Sequence, residues 1–129
     1  MPELIDTNIL LVEDDLNVRM TVRSMLTEMG VKNIFEQKDG QDALAFVENM
    51  QVRLDLIICD WNMPNKTGLE FLREIKQSHP EILFLMITAR NDEDSVLMAK
   101  EANVSAYIRK PFSFEELKTK VQTLLKKQL

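Results

Sequence analysis

Leu56-Ile57-Ile58-Cys59-Asp60-Trp61-Asn62-Met63-Pro64-Asn65 is the stretch that decides the fold. An apolar run of strand length meets a single carboxylate, and a loop carrying proline follows. An acid at the C-terminal end of a buried strand stands at the rim of a sheet. It is rigidly held there yet open to the loops, which suits a reactive or metal-binding carboxylate. The plain alternative is an Asp that merely ends a strand or caps the next helix.

Outward from this strand the same grammar repeats. Asn8 to Val12 reads as a buried strand ending in Glu13-Asp14-Asp15. Val18, Val22, Met25 and Met29 then recur at helical spacing, and Gly30 is placed to stop that helix in a left-handed conformation. Ile34 to Gln37 is a more polar strand, Asp39-Gly40 a turn, and Ala43, Leu44, Val47 and Met50 mark a second helix. Gly68 to Gln77 reads as a third helix, ended by His79-Pro80. Ile82 to Ile87 is an apolar strand running into Thr88. Asp92 to Ala102 is a fourth helix with acids in its first turn. Ser105 to Ile108 is a short strand leading to Lys110-Pro111. Ser113 and Glu116 then have the spacing of a capping box at the start of a last helix.

Five alternations of strand and helix imply an α/β fold: a doubly wound parallel sheet with helices on both faces. The first, third and fourth strands are continuously apolar and belong in the centre. The second and fifth carry polar residues and belong at the edges. Right-handed crossovers then favour the flavodoxin-like order 2-1-3-4-5, with five helices making three layers in all.

The 129 residues suit one domain, taking up residues 1–129, with no effector domain expected. A net charge of −5 supplies no basic stripe for nucleic acid. The longest apolar run is too short to cross a bilayer, so no membrane contact is expected. One cysteine excludes an internal disulfide framework and fits a reducing cytoplasm.

In a parallel sheet of this order the acids after strand one, Asp60, Thr88 and Lys110 all reach one edge. Each has an ordinary reading as a cap or a solvated surface residue, but their shared placement argues for a site. Crowded carboxylates resist ionisation unless a cation joins them. Mg²⁺ suits carboxylates, a backbone carbonyl and waters. Asp60 could then attack phosphorus, while Mg²⁺, the Lys110 ammonium and the Thr88 hydroxyl stabilise the transferred oxygens.

These residues resemble a receiver domain of two-component response regulators. The matching motifs are ILLVEDD at 9–15, DWNMPNKTG at 60–68, TA at 88–89 and KPF at 110–112. DWNMPN and Tyr107 look most like the stand-alone chemotaxis (CheY-like) regulators. The resemblance implies that a sensor histidine kinase passes its phosphoryl group to Asp60. It implies that Asp14 and Asp60 ligate Mg²⁺ directly, Asn62 through its backbone carbonyl and Glu13 through water, with Asp15 mainly a helix cap. It implies a cis Lys110-Pro111 bond. It also implies a switch in which Thr88 moves toward the phosphoryl group and Tyr107 turns inward. The altered face, formed by helix four, strand five and helix five, would control a downstream protein effector. Asn62 and Arg90 would tune phosphoryl lifetime.

The sequence supports such a face independently. Val96, Leu97, Met98 and Ala99 are more apolar residues in a row than one helical stripe can bury. Together with Tyr107, which the resemblance implies, Val96, Met98 and Ala99 are the expected partner face. A monomer is expected, with pairing through that face open. The chain departs from the chemotaxis pattern in Arg90, in the acidic Asp92-Glu93-Asp94, and in Asn103 where a glycine is expected. Two rival readings are a phosphate-independent binding module and a haloacid-dehalogenase-type phosphatase. The latter needs an acid where Asn62 stands. The remaining singletons read as structure: Cys59 as core on the face opposite Asp60, and His79 as surface. Trp61 reads as a fluorescent reporter beside the site.

Overall fold

The computed structural model describes residues 4–89 and 93–126. A short 3₁₀ turn, Leu4–Asp6, leads into β1 (Asn8–Val12), α1 (Leu16–Glu28), β2 (Asn33–Gln37), α2 (Gly40–Asn49) and β3 (Leu56–Asp60). There follow α3 (Gly68–Ser78), β4 (Leu83–Thr88), α4 (Glu93–Glu101), β5 (Ala106–Arg109) and α5 (Phe114–Lys126). The sheet has the expected five strands in the order β2-β1-β3-β4-β5, every pair parallel.

Strand chemistry sets this order. Every residue of β3 is buried, and β1 and β4 are buried beyond their first residue. β2 and β5 are mostly half-buried and take the two edges. Alternation along the strands divides the core in two. Leu10, Val12, Ile57, Cys59, Phe84 and Met86 pack toward α2, α3 and α4. Ile9, Leu11, Ile58, Leu85 and Ile87 pack toward α1 and α5. Cys59 thus lies on the opposite face from Ile58, as its strand parity requires. Burying a side chain such as Leu72 or Phe84 contributes about 2–3 kcal/mol.

Local signals set the helix ends. Asp15 caps α1 by accepting from the Val18 N–H. Gly30 follows the helix at φ +106°, and its N–H donates to the Thr27 carbonyl. Asp39-Gly40, expected as a turn, leads directly into α2: Asp39 is its N-cap, its carboxylate accepting from the Asp42 N–H, and Gly40 is its first residue. Thr67 and Glu70 form a capping box at α3, and Ser113 and Glu116 form one at α5. Asn103 takes the left-handed conformation at φ +63°, one that asparagine tolerates better than most residues. β4 and β5 each begin one residue later than the apolar pattern suggested, because the sheet pairing rather than hydrophobicity sets their ends. Asp92, the expected start of helix four, lies outside the described residues.

Among the described residues, no helix is long and apolar enough to cross a membrane.

Candidate functional site

Four strand ends bring the site together. β1 delivers Glu13 and Asp14, β3 delivers Asp60, β4 ends in Thr88, and Lys110 follows β5. The β3–β4 register sets Asp60 beside Ile87, and Thr88 lies opposite Arg109 in the β4–β5 register. The Lys110 N–H donates to the Thr88 carbonyl at 2.8 Å, tying the last two ends together. The Lys110-Pro111 peptide is cis, as the motif implied.

Glu13, Asp14 and Asp60 each place a carboxylate oxygen within 4.8 Å of the others. Glu13 and Asp60 are buried, whereas Asp14 is exposed and leaves that side open to solvent. The Lys110 ammonium sits 3.1 Å from Asp60 Oδ1 and 3.7 Å from Glu13 Oε2. Burial is the main cause that pushes the Glu13 carboxyl up to about 7, and the nearby Asp60 charge adds to it. Burial also raises Asp60, while Lys110 pulls it back down. One ammonium therefore shares two desolvated acids, and the trio carries more negative charge than its surroundings compensate. Oxygen-only donors with one solvent-facing side suit a hard divalent cation. The residues fit such an ion.

The loop after β3 is pinned from outside. The Gly68 N–H donates to the Trp61 carbonyl at 2.8 Å. A Cβ on Gly68 would stand 2.3 Å from the Asp60 carbonyl oxygen, so only glycine lets α3 approach so closely. Asn65 adopts φ +70°, and its side-chain amide donates to Asp39 at 3.3 Å. Lys66 pairs with Glu74 of α3. Asn62 is an exposed member of this loop, and Trp61 is buried against the α2–α3–α4 side of the core.

Thr88 is fully buried. It lies two residues beyond Met86, which pairs with Tyr107, so Thr88 and Tyr107 share the sheet face toward α4. Tyr107 is half-buried against that core. On α4, Leu97 and Met98 are exposed and Val96 is half-buried. Ala99, expected on the outer face, is buried instead. Ser95 and Ala99 lie one helical turn apart and form the inward stripe, so Leu97 takes the outer place. Arg90, expected to tune phosphoryl lifetime, lies outside the described residues.

Three contributors were not anticipated: the close approach at Gly68, the Asp39–Asn65 link, and Arg19, whose guanidinium donates to the Glu13 carbonyl at 2.9 Å. A glycine opening a helix, DWNMPNKTG, was the only one of the three with a visible signal.

The family model for the response regulator receiver domain matches residues 9–122. The chain is 31% identical over 121 residues to the chemotaxis protein CheY of Pseudomonas aeruginosa, covering 92% of this chain and 96% of that protein. It is 32% identical over 121 residues to the chemotaxis protein CheY-3 of Vibrio cholerae, covering 92% of each. The solved structure of chemotaxis protein CheY4 of Vibrio cholerae superposes with a TM-score of 0.84 at 29% identity, covering 92% of this chain and 98% of that one. The family match, the relatives and the sheet order agree, and the chain belongs to the response regulator receiver domain family, with a CheY-like fold.

Proposed function

We propose that this receiver domain accepts a phosphoryl group on Asp60 from a sensor histidine kinase, with Mg²⁺, and thereby switches a protein-binding face. The single observation that carries the reading is the contact of 3.1 Å between Lys110 Nζ and Asp60 Oδ1, beside the Glu13 and Asp14 carboxylates. A carboxylate held on a strand end next to an ammonium is a nucleophile with its charge compensation already in place.

An Asp60 oxygen attacks the phosphorus of a phosphohistidine. The P–O bond forms as the P–N bond breaks, and the imidazole keeps that electron pair and takes a proton from solvent. Lys110 neutralises charge on the transferred oxygens, and Thr88 offers its hydroxyl to them. Mg²⁺, when bound by Asp14, Asp60, the Asn62 carbonyl and, through water, Glu13, supplies further charge neutralisation. No base is required, because the nucleophile reacts as its anion. The chain is a signalling protein that catalyses only its own phosphorylation and dephosphorylation, with Asn62 and Arg90 setting how readily water attacks.

Docking and output follow from the surface. An apolar groove of about 590 Å³ lined by Val18, Met25, Pro111 and Phe112 reaches Lys110 and gives a phosphodonor a seat beside Asp60. On the output side, movement of Thr88 and Tyr107 alters the face of α4, β5 and α5, where Val96, Leu97 and Met98 meet a downstream protein. The CheY relatives make chemotaxis the first setting to examine, in the cytoplasm, with a monomer as the resting form and pairing through that face on phosphorylation.

The test is incubation with Mg²⁺ and acetyl phosphate, read by intact-mass spectrometry. The expected result is gain of one hydroxylamine-labile phosphoryl group, abolished in Asp60→Asn and by chelation. No adduct on the parent chain, or equal uptake by Asp60→Asn, overturns the reading.

A further inference from the structure

Arg19 lies on α1, at the margin of the acid cluster. Its Nη1 donates to the Glu13 backbone carbonyl at 2.9 Å. Its Nε faces Glu36 Oε1 at 3.3 Å as an ion pair without a hydrogen bond. Glu36, on edge strand β2, uses its other oxygen on Arg23 at 2.7 Å. The next residue of β2, Gln37, accepts the Glu13 N–H at 3.1 Å. The Glu13 side chain in turn accepts from the Asp15 N–H at 3.2 Å. Both polar ends of Glu13's backbone are thus held, the N–H by β2 directly and the carbonyl by an arginine that β2 orients.

This arrangement bears on Asp14. Asp14 is exposed, so backbone direction rather than packing aims its carboxylate. The Glu13 carbonyl belongs to the peptide that joins the two acids, and fixing it fixes that aim. A bare guanidinium beside a cation site would oppose cation binding. Glu36, which it shares with Arg23, offsets only part of the Arg19 charge, so any net support that Arg19 gives to a cation must be geometric and must outweigh the remaining repulsion.

We infer that Arg19, held by Glu36, is a positioning residue for the cation site, orienting the Glu13–Asp14 peptide so that its carboxylates converge with Asp60. The inference rests on the Mg²⁺ site proposed above. The rival is a solvated ion-pair network on the surface, which contributes little to anything.

The experiment titrates Mg²⁺ into the full chain, with Trp61 fluorescence and the Mg²⁺-induced rise in Tm as two readouts. Arg19→Met keeps much of the stem and removes the donor. It is expected to weaken Mg²⁺ about 10-fold, as loss of the groups that support metal ligands commonly does. Arg19→Lys can reach the carbonyl with one donor but lacks the fork, and recovers part of that loss. Glu36→Gln uncovers the Arg19 charge, and weakens Mg²⁺ more at low salt than at high salt. Should Arg19→Met fail to fold, Arg19→Lys and Glu36→Gln decide the matter. Mg²⁺ affinity within about twofold of the parent in the folded variants, or tighter binding, overturns the inference even if their Tm in chelator falls. A parent chain that ignores Mg²⁺ in both readouts defeats the proposed function instead, so the two failures are distinguishable.

Discussion

Lys110 Nζ lies 3.1 Å from Asp60 Oδ1, although the two residues are fifty positions apart in the chain. The pairing follows from strand order: β3 and β5 flank β4, and the Lys110 N–H is fastened to the carbonyl that ends β4. The lysine side chain is 28% exposed, and its ammonium faces a buried partner. Lys110→Met keeps most of the stem and loses that charge. Phosphoryl uptake from acetyl phosphate should fall about 100-fold, the usual cost of removing one donor aimed at developing negative charge. Uptake is measured by intact-mass time courses, and a change of less than about twofold would show that the lysine serves only the fold.

The acid cluster gives stability an unusual pH dependence. The Glu13 carboxyl moves from 4.5 up to about 7, through burial first and the Asp60 charge second. Burial raises Asp60 as well. A carboxyl whose folded pKa exceeds its unfolded one binds its proton more tightly in the folded state. Its contribution is present below the unfolded value, 4.5, and is lost as pH rises through about 7. In chelator, the chain should therefore lose roughly 1–3 kcal/mol between about pH 5 and about pH 8, seen as a falling Tm. Saturating Mg²⁺ favours the ionised acids and should remove most of that loss. Glu13→Gln should flatten the profile in chelator. A Tm that stays level or climbs across the range would contradict this assignment.

Which features could be read beforehand follows from how far each interaction reaches along the chain. Strand order was legible because β1, β3 and β4 are continuously apolar and β2 and β5 are not. Asp14, Asp60, Thr88 and Lys110 were legible because each stands at or just past the end of a readable strand, and parallel strands share one edge. Ala99 was misplaced because four apolar residues in a row carry no phase. Only packing shows that Ser95 and Ala99 face inward. Arg19 and the Asp39–Asn65 link were invisible, since a hydrogen bond from a side chain to a distant loop leaves no spacing in the sequence. Gly68 was quoted as part of a motif, but the reason for a glycine there is a backbone approach that only coordinates reveal.

Gly68 allows a test in which two physical effects have opposite signs. It opens α3 with its N–H on the Trp61 carbonyl, and it has no positive φ to protect. By helix propensity alone, Gly68→Ala should be neutral or stabilise the chain by up to about 1 kcal/mol. Sterics point the other way, since the added Cβ would meet the Asp60 carbonyl oxygen at 2.3 Å and the Trp61 Cα at 2.8 Å. Those atoms are backbone and cannot rotate aside, so α3 or the end of β3 must shift. Overpacking of this kind costs about 1–3 kcal/mol, which exceeds the propensity gain. Gly68→Ala should therefore lower the urea midpoint with little change in slope. Because the displaced atoms belong to Asp60 and its neighbour, phosphoryl uptake should fall by more than the loss of folded protein explains. A midpoint at or above that of the parent would mean that the loop yields freely, and that the closeness of α3 to Asp60 has no part in holding the site.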